Sequence, residues 1–410
     1  MRPHVPLSTV VMSLNARYQR DGRAPTLLGI GPMSEEVLLA ALELGKGMDF
    51  PVMFIASRNQ IDSRQFGSGY VKGWDQADFV ASANRLAERA GFDGLLYICR
   101  DHGGPWQRDE ERRQRLPADE AMQRAKASYL DDLHAGFSVL HIDPTKAPDG
   151  EGPVPVDVVM KRTVELLSHI EEDRRRAGLP EITYEIGTDE TSGGLTEPQV
   201  LRGFVEQLHS ALERKGLPQA SLLVGQTGTL LKMDRNIGGF NAEHAKRLAD
   251  LARSLALGLK EHNTDYLSDE QLRKHPGLGI TAANVAPDFG RAHTASLMEL
   301  AADAGDAGFI TLVERKALES RRWQKWLLPE QAGMTAAQIA ADAAVLRQVG
   351  LVCGHYVYDD PEVAEARQRL FAAARQKGIA DPERRVLDGI KSAIRRYADP
   401  FSLAGVTSSL

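Results

Sequence analysis

The sequence predicts an α/β fold, a (β/α)8 TIM barrel with a C-terminal helical appendage, and three observations predict it. Eight short β-rich runs recur along the 410 residues, most of them are separated by stretches with helical patterning, and each ends in polar or glycine-containing residues. Strands alternating with helices imply parallel pairing through right-handed crossovers. Eight such units imply closure, because an open doubly wound sheet usually has about five or six strands and a glycine-rich fingerprint after the first. Gly29-Ile30-Gly31-Pro32 is not that fingerprint.

The runs fall at residues 27–31, 52–57, 95–101, 138–143, 182–187, 222–226, 257–262 and 278–284. Helical patterning fills 78–90, 119–135, 156–177, 197–215 and 242–256. The interval between the seventh and eighth runs is short, so its helix must be short or absent, and a helix near 294–304 closes the barrel. From Trp323 onward the pattern turns helical, at 336–349, 361–377 and 382–397, with 351–357 as one further strand candidate. The expected organisation is a barrel over residues 1–320 and a helical extension over 321–410 packed on it, a natural contact surface for a homo-oligomer.

Composition bounds the function. A hydrophobic content of 42% supports a sizeable core, and the net charge of −6, from 56 acidic and 50 basic residues without long runs of either sign, speaks against nucleic-acid or anionic-membrane partners. The two cysteines, Cys99 and Cys353, lie in apolar stretches without paired spacing, which points away from a zinc knuckle or disulfide framework and toward a reducing cytoplasm. Residues 1–20 lack the apolar core of a signal peptide, and no stretch nears the roughly 18 apolar residues of a membrane span.

In this architecture chemistry belongs at the carboxyl ends of the strands. The third run ends Arg100-Asp101-His102-Gly103-Gly104-Pro105, the fourth His141-Ile142-Asp143, the fifth Glu185-Ile186-Gly187, the sixth Gly225-Gln226-Thr227 and the seventh Glu261-His262-Asn263-Thr264-Asp265. A lone His or Asp at one strand end serves as readily to cap a helix or satisfy a loop amide. Five consecutive ends so furnished point to a site.

Proton transfer beside a sugar carbonyl needs a base and an electrophile, and a divalent cation on histidine and carboxylate ligands supplies the second. His102, Glu185 and His262 form a suitable ligand set for zinc, with manganese or cobalt as alternatives. Asp101 is the first candidate acid/base, with Glu185 and Asp143 as further catalytic carboxylates and Glu261 in reserve. His141 reads equally as a ligand to metal or substrate and as a hydrogen-bonded core residue. Gln226 and Asn284, at strand ends, are candidate substrate contacts. The pairs Gly193-Gly194 and Gly238-Gly239 offer backbone amides for a phosphate, although glycine pairs more often only permit a turn. Arg58, Lys232 and Arg235 are candidate cations for a phosphorylated or carboxylated sugar.

Laid out in this way, the chain resembles the class II tagatose-bisphosphate aldolase accessory-subunit family, the "non-catalytic" Z type. The resemblance spans roughly residues 29–284 and rests on Ser57-Arg58-Asn59-Gln60 with Gln65-Phe66-Gly67-Ser68-Gly69-Tyr70, on Asp101-His102-Gly103-Gly104-Pro105, on Ala135-Gly136-Phe137-Ser138 leading to His141-Ile142-Asp143, and on Glu261-His262-Asn263-Thr264-Asp265-Tyr266. The family is in turn similar to catalytic class II ketose-bisphosphate aldolases and to metal-dependent ketose epimerases. That likeness implies an acid/base role for Asp101, metal ligation by His102 and His262, and substrate contacts from Asn59 and Gln60. Arg100, where the family has small residues, and Thr188-Asp189-Glu190-Thr191-Ser192 depart from the family pattern on the expected substrate side.

Two functions compete. One is a carbohydrate-metabolism enzyme, a metal-dependent aldolase or epimerase acting on a ketose or ketose phosphate. The other is a non-catalytic partner of a separate aldolase catalytic subunit, with the same barrel and no tight metal. Sugar kinase chemistry lacks its GxxxxGK phosphate loop in this chain.

Overall fold

The computed structural model describes residues 5–187, 195 and 197–410. Its eight barrel strands are β1 (Leu27–Ile30), β2 (Val52–Ser57), β3 (Leu96–Gly103), β4 (Val139–Ile142), β5 (Thr183–Gly187), β6 (Leu222–Val224), β7 (Gly258–Glu261) and β8 (Ile280–Val285). Each pairs in parallel with its neighbours in sequence, and β8 pairs with β1, so the sheet closes. All eight predicted runs are strands of the barrel.

The helices between them bury one apolar stripe against the strands. Gln76–Ala90 is typical: Phe79, Ala83, Leu86 and Ala87 are its buried face, Asp75 caps its first turn through the Asp78 N–H, and Gly91 ends it in the left-handed conformation. The helix between β7 and β8, Asp269–Leu278, is short as the interval requires, and is opened by a capping box at Ser268 and Gln271.

Residues inside the barrel alternate with residues facing the helices. At the amino-terminal rim the inward set is apolar, with Leu27, Met53, Ile55, Val139, Leu222 and Ala282 joined to Leu7, Val10, Val11 and Leu14 of helix Leu7–Asp21. That helix therefore plugs the bottom of the barrel. It is absent from the sequence reading, although its i, i+3, i+4, i+7 spacing is written in the chain.

Beyond the barrel, helix Pro287–Ala304 leads into an all-helical segment, and 351–357 is no strand. Those residues finish helix Ala343–Cys353 and the one-turn helix Gly354–Tyr356. The reason is helical periodicity: Val349, Val352 and Cys353 fall on one face and pack with Trp323, Leu328 and Met233. Met233 belongs to a small hairpin after β6, Leu231–Lys232 with Arg235–Asn236, and its N–H bonds Trp326 O at 2.7 Å. Lys325 reaches Asp109 after β3 at 3.3 Å. The extension thus ties down loops at the carboxyl rim. Both cysteines are free and buried, and no helix among the described residues is long and apolar enough to cross a membrane.

Candidate active site

The inward residues change character at the carboxyl ends of β3, β4, β5 and β7. Alternation puts His141 and Asp143 on one face of β4, Glu185 on the inner face of β5, and Lys260 and His262 on the inner face of β7. On β3 alternation alone would send Asp101 and His102 to opposite faces. Instead the β3–β4 register breaks between Arg100 and Gly103, and His102 takes a positive φ of 45°. Both side chains consequently face the barrel axis, while Arg100 points outward to a buried ion pair with Asp132.

Three imidazoles meet there. His102 Nε2 lies 3.0 Å from His262 Nδ1, and the His141 ring centroid is 5.4 and 5.3 Å from those of His102 and His262. His102 Nδ1 donates to Asp143 Oδ2 at 2.7 Å, which turns Nε2 toward the cluster; burial works against a charge on this ring, but Asp101 and Asp143 hold its pKa above the ordinary histidine value, so a metal would displace a proton on binding there. Asp143 is itself held by the Thr145 backbone and hydroxyl. Burial pushes the pKa of His141 down and that of His262 well down, so both rings are neutral, the form that ligates a metal. His141 Nε2 is buried with no hydrogen-bond partner among the described residues.

The carboxylates stand beside these rings. His262 Nε2 lies 3.4 Å from Asp101 Oδ1 and 3.6 Å from Glu185 Oε1. Asn284 Nδ2 donates to Asp101 Oδ1 at 3.0 Å, and the amide has room because β1 carries Gly29: a Cβ there would sit 2.1 Å from Asn284 Oδ1. Lys260 Nζ sits 2.7 and 2.9 Å from the two Glu185 oxygens. Burial works against its charge, but Glu185 and Asp101 hold its pKa above the ordinary lysine value.

Two overlapping sets therefore converge closely enough to hold one metal ion: His102, His141 and His262, or Asp101, His141, Glu185 and His262, with the donor atoms of each set within 4.8 Å of one another. The orphaned His141 nitrogen and the Asp143-oriented His102 ring fit a divalent cation.

Of the residues singled out from the sequence, Asp101, His102, His141, Asp143, Glu185, His262 and Asn284 come together. Glu261 faces away from them and accepts hydrogen bonds from Thr227 and Thr264 and an imidazole contact from His275 at 2.6, 2.7 and 2.9 Å, which anchors the end of β7. Arg58 is buried and engaged by Asp62 and Glu111. Asn59 latches the Gln107–Asp109 loop, and Gln60 bonds Ser57 and Met33. Lys232 bonds Lys325 O, Arg235 lies beside Asp234, and Gln226 accepts from the Gly228 N–H. Gly193 and Gly194 lie outside the described residues. Lys260 is missing from the sequence reading; its signal was alternation, two residues before His262 on the same face.

The architecture is shared with several solved structures. A Sinorhizobium meliloti protein named a probable tagatose 6 phosphate kinase superposes with a TM-score of 0.73 at 22% identity, over 92% of this chain and 100% of its own. The fructuronate-tagaturonate epimerase UxaE of Cohnella laeviribosi gives 0.58 at 13% identity, over 96% and 86%. The YdjI aldolase of Escherichia coli K12 gives 0.52 at 13% identity, over 97% and 98%. At these identities the likeness is one of fold. A family model described as D-tagatose-1,6-bisphosphate aldolase subunit GatZ/KbaZ-like matches residues 12–382.

Proposed function

This chain belongs to the GatZ/KbaZ-like family of D-tagatose-1,6-bisphosphate aldolase subunits, and from that premise of a role in sugar metabolism we propose that it is itself a metal-dependent enzyme that cleaves or epimerises a ketose. The observation that carries the reading is the convergence of His102, His141 and His262 beside two buried carboxylates.

In this reading the three histidines would hold the metal, and Asp143 orients His102 toward it. Glu185 is the less suitable ligand of the set, because Lys260 already neutralises it. A bound divalent cation would act as a Lewis acid toward the ketose carbonyl. Asp101, fixed by Asn284, is the acid/base that moves the proton at the neighbouring carbon or hydroxyl. Glu185 and Lys260 stand beside that position as a closed ion pair. Lys260 is unsuited to imine formation, since nucleophilic attack needs a neutral amine and the carboxylates hold it as ammonium. Two unpaired buried cysteines suit a cytoplasmic protein. The nitrogen-rich donor set favours zinc, while manganese would draw on the neighbouring carboxylates.

The test is product analysis by NMR after incubating the metal-loaded protein with ketohexoses, their uronates and their phosphates. Three-carbon products identify an aldolase, and a ketose inverted at one carbon identifies an epimerase. Metal-loaded protein that turns over none of them, but activates a separate aldolase subunit, supports the partner role instead.

A further inference from the structure

In (β/α)8 enzymes a substrate phosphate is frequently held by the loops after the seventh and eighth strands, on backbone N–H groups at the start of a helix. In this chain that position is already filled. The helix after β8 begins at Pro287, which brings no N–H. The two N–H groups flanking it, of Ala286 and Asp288, both donate to Asp265 Oδ1, at 3.0 and 2.9 Å.

Asp265 comes from the loop after β7, three residues beyond His262, and is 1% exposed. Its loop is locked on several sides. The Asp265 carbonyl accepts from Asn236 Nδ2 at 3.1 Å, and the Thr264 N–H donates to Asn284 O at 3.1 Å. The Tyr266 N–H donates to Tyr397 Oη at 3.1 Å, and the same hydroxyl donates to Asp288 Oδ2 at 2.6 Å. Arg291 lies 3.9 Å from Asp288 and keeps a buried Nε without a hydrogen-bond partner among the described residues, while Arg396, 3.8 Å from Asp288, is nearer to Asp269 at 3.2 Å. An entering phosphate would meet two carboxylates and no free backbone N–H at the start of this helix.

The glycines of the hairpin region have a packing role of their own. A Cβ on Gly228 would lie 2.4 Å from Gly239 O, and one on Gly238 would lie 2.1 Å from Gly228 O, so these glycines serve the close packing of the hairpin on itself.

We propose that Asp265 is a built-in occupant of the phosphate position between β7 and β8, and that it sets the specificity of the site toward ketoses bearing no phosphate at the end that lies beyond Asn284. A ketose 1,6-bisphosphate, which needs an anion pocket at both ends, is excluded. This rests on the ketose reading of the strand-end cluster, and it assigns the substrate class within that reading.

The test is titration calorimetry on metal-loaded protein. Wild type is titrated with D-tagatose and with D-tagatose 1,6-bisphosphate; inorganic phosphate is titrated into wild type, Asp265→Asn and Asp265→Ser. The free ketose binds wild type at least about tenfold more tightly than the bisphosphate, and inorganic phosphate binds Asp265→Ser at least about tenfold more tightly than wild type or Asp265→Asn, because Asn keeps an acceptor on both N–H groups. Phosphate bound at the metal is separated by repeating the phosphate titrations on metal-free protein, and those titrations decide the comparison. A bisphosphate that binds wild type as tightly as the free ketose, or inorganic phosphate that binds wild type as tightly as Asp265→Ser, overturns the proposal. If Asp265→Ser does not fold by circular dichroism, the wild-type sugar comparison decides. If wild type binds neither sugar, the ketose reading fails, and the phosphate comparison still decides the role of Asp265.

Discussion

Lys260 Nζ lies 2.7 and 2.9 Å from the two carboxylate oxygens of Glu185, and both side chains are fully buried inside the barrel. The pair is the floor on which the histidine cluster stands. An ion pair in such a place is costly to break from one side, because the survivor keeps its charge without its partner.

Lys260→Met should therefore cost about 3–5 kcal/mol of stability. The double variant Lys260→Met/Glu185→Leu should recover a large part of that loss. Urea denaturation followed by far-ultraviolet circular dichroism reads both. A double variant no more stable than Lys260→Met would show that the cost is packing, not charge.

Asp143→Asn addresses orientation. The carboxylate holds His102 through Nδ1 at 2.7 Å, so its amide should leave the ring less firmly aimed. Metal affinity, measured by competition with a chelating dye, should fall by roughly 10–100-fold while the fold is retained. Unchanged affinity would remove Asp143 from the metal centre.

The Asp265 carboxyl carries a pH signature. Burial and the nearby Asp288 push its pKa up to about 7, against the pull of the two N–H donors. The folded value exceeds the unfolded one, so this group's contribution to stability is present below about pH 4 and is lost as pH rises through about 7. Relative to Asp265→Asn, wild type should lose at most about 4 kcal/mol between pH 4 and pH 8, read from urea midpoints at the two pH values. A constant difference would mean that the carboxyl ionises normally.

The barrel plug gives a purely structural expectation. Leu14 is buried among inward strand residues at the amino-terminal rim. Leu14→Ala should cost about 2–5 kcal/mol and leave metal content unchanged, since the site lies at the other rim.

Much of this is legible in the chain because a closed barrel makes two local rules sufficient. Alternation along a strand decides which side chains face inward, and the carboxyl end decides which of those meet. On that basis Asp101, Glu185, His141 and His262 can be read before the structure. Arg58, Asn59 and Gln60 show where the rules stop. They sit just past β2, where the strand no longer fixes orientation; Arg58 and Asn59 turn into the loop packing of Asp62, Glu111 and Gln107, and Gln60 bonds back to Ser57 and across to Met33. The joint inward turn of Asp101 and His102 depends on a register break and one positive φ, neither of which has a composition signal. The segment 351–357 is rich in β-branched and aromatic residues, and tertiary packing overrode that preference.

The most direct test of the central claim is elemental analysis of protein incubated with zinc, manganese or cobalt and then desalted, comparing wild type with His102→Ala and His141→Ala. The account predicts close to one metal ion per chain in wild type, and its loss in both variants with the barrel's circular dichroism unchanged. Wild type without metal, or a His141→Ala variant that keeps a full equivalent, would contradict a metal centre built on His102, His141 and His262.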